Sequence, residues 1–98
     1  MSNDDVFDFL INEEDEVMLL LNVREGEPKN AHVEVNKAEK SMVLHRNETD
    51  SVILTDISAD IFDSLQDADE LMVCELSRGA SDNLDAQIVY AYEAEISY

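Results

Sequence analysis

The sequence predicts an α+β domain: a mainly antiparallel sheet of five or six strands with two short helices. Three patterns carry that expectation. Over residues 87–96, Ile88, Tyr90, Tyr92, Ala94 and Ile96 fall on one side while Gln87, Glu93 and Glu95 fall on the other, the signature of a half-buried antiparallel strand. Residues 32–45 fold back on themselves in a self-consistent register. Ile57, Ile61, Leu65 and Ala68 recur at helical spacing.

Taken from the N-terminus, residues 3–12 place Val6, Phe7, Leu10 and Ile11 on one helical stripe. Asp4, Asp5 and Asp8 stand in the first turns, where the helix dipole favours anions, so the first short helix is expected here. The acidic run Glu13–Glu16 ends it. Residues 17–23 are almost continuously apolar and predict a central strand buried on both faces. Residues 24–30 hold the only Pro and Gly26, and read as a polar loop.

A turn centred between Ala38 and Glu39 pairs Val33 with Leu44 and Val35 with Met42 on an apolar face. The same register sets His32 opposite His45, Glu34 opposite Val43 and Asn36 opposite Ser41 on the other. Asn47-Glu48-Thr49-Asp50 is a second turn, and its match to a glycosylation acceptor reads as a turn only. The strand over 51–57 follows, with Val52, Ile53 and Leu54 adjacent, so its facing is ambiguous by one residue. Residues 58–68 predict the second helix, capped by Asp56 or Ser58. Residues 71–76 form a short buried strand, and 78–83 a polar loop. No internal repeat or low-complexity tract interrupts what reads as a single acidic domain over 1–98.

The composition bounds the function. Of 98 residues, 24 are Asp or Glu and 6 are Lys or Arg, for a net charge of -18. That balance opposes direct binding to nucleic acid or to anionic membranes. The longest apolar run, Val17–Leu21, is far short of a membrane span. One cysteine, Cys74, cannot form an internal disulfide, and the first residues lack a basic n-region and an apolar core, so a cytoplasmic location is expected. Residues 1–23 carry net -7, 24–46 net +1 and 47–98 net -12, which concentrates every cation but Arg78 in the first loop and hairpin.

Catalytic arrangements are weak. The carboxylate runs read as solvated faces, Cys74 sits in an apolar strand that makes a thiol inert, and Gly26 and Gly79 cannot build a phosphate loop. Asp82-Asn83-Leu84-Asp85 resembles part of a calcium loop, but Leu84 breaks the alternation of ligands and Gln87 stands where a Gly is needed. His32 and His45, with Glu34 on the same face, could share a transition metal, although surface residues of this kind are ordinary. No cofactor is expected.

These observations lead to a non-enzymatic acidic interaction module, an adaptor, chaperone-like or inhibitory protein that binds a basic protein surface. The expected surface is the exposed side of the second helix, Asp60, Asp63 and Asp67, extended by Asp69 and Glu70. Salt adaptation alone would also account for the acidity. A nucleic-acid mimic and a small-ligand or metal-binding domain are the alternatives, and an edge strand offers a route to a homodimer.

Overall fold

A computed structural model describes residues 6–66, 68–77 and 83–98. The elements in chain order are β1 (Val6–Ile11), β2 (Val17–Asn22), β3 (His32–Asn36), β4 (Ser41–His45), β5 (Ser51–Leu54), α1 (Ala59–Ser64), β6 (Glu70–Leu76), a single helical turn α2 (Leu84–Gln87) and β7 (Ile88–Ser97). The strands make one seven-stranded sheet in the order β1-β2-β6-β7-β3-β4-β5, curled into a half-barrel.

This corrects the expected mainly antiparallel sheet of five or six strands with two short helices: the strands number seven. The sheet is mixed: β2 pairs parallel with β6, and β3 pairs parallel with β7. Both parallel contacts join segments far apart in the chain, where local alternation carries no information about direction. The first expected helix is strand β1, paired antiparallel with β2. The acidic run after it is a tight turn. Asn12 Oδ1 accepts from the backbone N–H groups of Glu14 at 2.9 Å and Glu16 at 3.0 Å, and Asp15 takes φ 62°. Such an Asx turn closes a hairpin, and the tertiary pairing then overrides helical periodicity in a short segment.

The second helix is also shorter than expected, ending at Ser64, with Ser58 at its N-cap and no side-chain cap bond. Finally, β2 is second from the edge and alternates between buried and half-buried residues, whereas β7 occupies the middle of the sheet.

Other expectations hold to the residue. The β3–β4 hairpin pairs His32 with His45, Val33 with Leu44, Glu34 with Val43, Val35 with Met42 and Asn36 with Ser41. In β5 the ambiguity resolves with Val52 and Leu54 inward and Ile53 67% exposed.

The concave face collects the core. Leu19, Leu21, Val33, Met42, Leu44, Leu71, Val73 and Ala94 are fully buried there, and Ile57, Ile61, Phe62 and Leu65 from α1 and its flanks close over them. Truncating a buried Leu such as Leu19 to Ala should cost about 2–5 kcal/mol, because the strands around it cannot fully collapse into the cavity. Cys74 is buried, as expected. Among the described residues no helix is long and apolar enough to cross a membrane.

Candidate functional site

The side chains that alternate with the core residues form the convex face. On β3, β4, β6 and β7 this face carries His32, Glu34, His45, Glu70, Glu93 and Glu95, because Val33, Leu44, Leu71 and Ala94 take the inward positions between them. The register aligns them in cross-strand rows: His45 opposite His32, His32 opposite Glu95, and Glu95 opposite Glu70.

His32 and His45 stack with ring centroids 4.4 Å apart and planes inclined by 16°. Nε2 of His45 lies 2.8 Å from Oε2 of Glu34. That hydrogen bond, followed by the charge of His45, holds the Glu34 carboxyl below its ordinary pKa. The ligand-capable atoms of His32, Glu34 and His45 all lie within 4.8 Å of one another.

Next to them, where β6 begins and β7 ends, two clefts meet at Glu70 and Glu93. One is lined by His32, Tyr92 and Glu95, the other by residues including Asp15, Glu16 and Asp69. Six carboxylates therefore border this surface, and no Lys or Arg stands among the described lining residues. The Glu93 carboxyl, first by a hydrogen bond and then by like charge, pushes the Glu70 carboxyl up, with burial, Glu95 and Asp69 adding to the effect. Like charges directly opposed across strands destabilise a sheet.

The expected helix surface is divided. Asp60 and Asp63 are exposed on α1, which packs over the concave face. Asp69 is exposed in the connection after α1, and Glu70 opens β6 on the convex face, where it joins Glu93 and Glu95. Asp67 lies outside the described residues, as do Arg78 and Asp82, the latter the first residue of the calcium-like segment. Glu93 and Glu95 had a signal in the sequence, the polar side of the alternating last strand. Their convergence with Glu70 depends on the β6–β7 register and could not be read locally.

A second polar assembly, inside the fold, was not anticipated at all. Among the described residues, Arg46 and Glu75 are the buried charged residues, both fully buried on the concave face. Arg46 Nε donates to Glu75 Oε2 at 2.7 Å, its Nη1 to Asp50 and to the Glu25 carbonyl, and its Nη2 to the Gly26 carbonyl at 2.7 Å. Glu75 also accepts from the Arg24 backbone N–H at 3.1 Å and from the Tyr92 hydroxyl at 2.7 Å. Gly26 takes φ +86°, a left-handed conformation that lets the 24–30 loop turn its carbonyl onto the guanidinium.

Burial works against the Arg46 charge, but hydrogen bonds with Glu75 and Asp50 outweigh it and raise the pKa. Burial, then Glu75, push the Tyr92 phenol well above its ordinary value. Arg24 is drawn to the same carboxylate cluster, 3.1 Å from Asp50. Two of the five cations in the first loop and hairpin are thus committed to the interior network. The signal for it was a single acidic residue in the apolar run 71–76.

No family model, curated protein or solved structure matches this chain.

Proposed function

We propose that this protein is a non-enzymatic acidic interaction module that receives a basic partner surface in the clefts joined at Glu70 and Glu93. The observation that carries the reading is the set of six carboxylates bordering those clefts, with no Lys or Arg among the described lining residues. A Lys or Arg side chain brought between Glu70, Glu93 and Glu95 turns their mutual repulsion into attraction, and exposed charges of one sign also speed encounter with a partner of the other. The non-enzymatic part rests on the chemistry of the remaining groups. Cys74 is buried and its thiol is pushed up by that burial, which suppresses the nucleophilic thiolate. The Arg46–Glu75 pair is sealed from solvent and serves packing.

The test is capture of native partners on the immobilised chain at low salt and at about 0.5 M salt, where the screening length falls below about 5 Å. The expected result is a basic protein held at low salt, released at high salt, and held far less by the E70Q/E93Q/E95Q variant. Capture indifferent to both salt and these substitutions would contradict the proposal.

A further inference from the structure

We propose that the convex face of the β3–β4 hairpin binds one divalent late first-row transition-metal ion through His32, Glu34 and His45. The three donors come from a single rigid unit. The hairpin register holds the two histidines in direct cross-strand opposition, and Glu34 lies two residues along β3 on the same face. Their ligand atoms already lie within 4.8 Å of one another. Two nitrogens on one tetrahedral zinc stand about 3.3 Å apart, given zinc–nitrogen bonds of about 2.0–2.1 Å. The remaining approach requires side-chain rotation only, and the side chains are free to make it: His45 is 31% exposed and Glu34 60%.

The donor set selects the ion. Two imidazoles and one carboxylate suit Cu²⁺, Ni²⁺ or Zn²⁺, with copper bound most tightly, and suit Ca²⁺ or Mg²⁺ poorly because those ions prefer oxygen alone. Water completes the coordination, and Glu95, opposite His32 in the β3–β7 register, is the nearest further carboxylate in the cross-strand row. Binding exchanges the 2.8 Å hydrogen bond between His45 Nε2 and Glu34 for metal bonds to both groups. Protons compete for the imidazoles, so affinity falls as the pH is lowered. The site adjoins the acidic clefts at His32, which lines one of them, while Glu34 and His45 border neither.

The experiment titrates the full chain with Zn²⁺ by calorimetry in excess Mg²⁺, which occupies exposed carboxylates. It compares the parent with H32Q, H45Q, E34Q and E70Q/E93Q/E95Q. One equivalent is expected, weakened at least tenfold by H32Q or H45Q, weakened less by E34Q, and weakened less than by either histidine variant in the triple carboxylate variant, which removes neighbouring negative charge but none of the three ligands. If a histidine variant fails to fold, substoichiometric Cu²⁺ on the parent decides the matter, because it should broaden the Hε1 resonances of both histidines before those of carboxylate-bearing residues. Zinc affinity indifferent to the histidines, or abolished by the carboxylate variant, or copper broadening confined to the carboxylates, would overturn the assignment. Loss of partner capture with zinc binding intact would instead count against the proposed interaction surface alone.

Discussion

Arg46 and Glu75 form an ion pair, 2.7 Å from Nε to Oε2, with neither side chain in contact with solvent. Arg46 directly follows β4 and Glu75 lies in β6, two strands separated in the sheet by β7 and β3. The pair therefore ties the two halves of the curled sheet together across its concave face, with Tyr92 of β7 beneath it. Two charges are removed from water at a cost that only their mutual attraction and the surrounding hydrogen bonds offset.

Breaking that pair from one side should be severe. Glu75→Gln removes one of the two carboxylate partners of the guanidinium, leaving Asp50, and should lower stability by about 3–5 kcal/mol in urea unfolding, whereas the double variant R46M/E75L should recover much of the loss. A double variant as unstable as the sum of the single changes would show that the two residues act independently.

Tyr92 gives the alkaline side of the same network. The folded chain holds the phenol proton more tightly than the unfolded chain, so this contribution is whole below a pH of about 10 and disappears as the pH rises through the folded value. Ultraviolet titration should show one of the tyrosines ionising late and together with unfolding. In Tyr92→Phe that late step should vanish, and stability at neutral pH should fall by about 1.5–3 kcal/mol through loss of the bond to Glu75. Three tyrosines titrating together before unfolding would contradict the assignment.

The acid side contains two opposing effects. Burial raises the Asp50 carboxyl, but hydrogen bonds from Arg46 and Arg24 outweigh it and hold the pKa down, so Asp50 stabilises the fold above its unfolded value and that contribution is lost as the pH falls through the folded one. Glu70 has the reverse sign, since its raised pKa means that protonation relieves repulsion. Asp50→Asn should therefore flatten the loss of stability in strong acid. Glu70→Gln should raise stability at neutral pH and reduce any gain on mild acidification. Both are read from melting temperature against pH, and identical profiles for the parent and both variants would contradict these roles.

Cys74 tests the burial of β6. Its thiol should react with an aromatic disulfide reagent only at the rate of unfolding, and at once in denaturant. Immediate reaction of the native chain would place it on the surface.

What could be read from the sequence divides along the range of the interactions. The β3–β4 register and the inward side of β7 follow from alternation within a few residues and the burial of Cys74 from the apolar run around it, and all three are observed. The parallel contacts of β2 with β6 and β3 with β7 join distant segments whose apolar patterns fit either direction. For the same reason Glu70 could be placed at the end of an acidic band but not beside Glu93, and Glu75 could not be matched to Arg46. The N-terminal strand carries Val6, Leu10 and Ile11 on what is also a helical stripe, over a segment too short to distinguish the two periods. Pairing with β2 decides it.

We attribute recognition of basic groups to the carboxylates around Glu70 and Glu93 rather than to the overall charge of -18. Affinity for a fluorescent oligolysine peptide across a salt series tests it most directly, comparing E70Q/E93Q/E95Q with D56N/D60N/D63N. Each variant removes three charges, the first set from the convex face and the second from α1 and the residues leading into it. The convex-face variant is expected to lose at least tenfold in affinity at low salt and to show the shallower salt dependence, while the helix variant stays within about threefold of the parent. Equal losses in the two variants would mean that net charge alone attracts the peptide and would rule out recognition by the Glu70–Glu93 carboxylates.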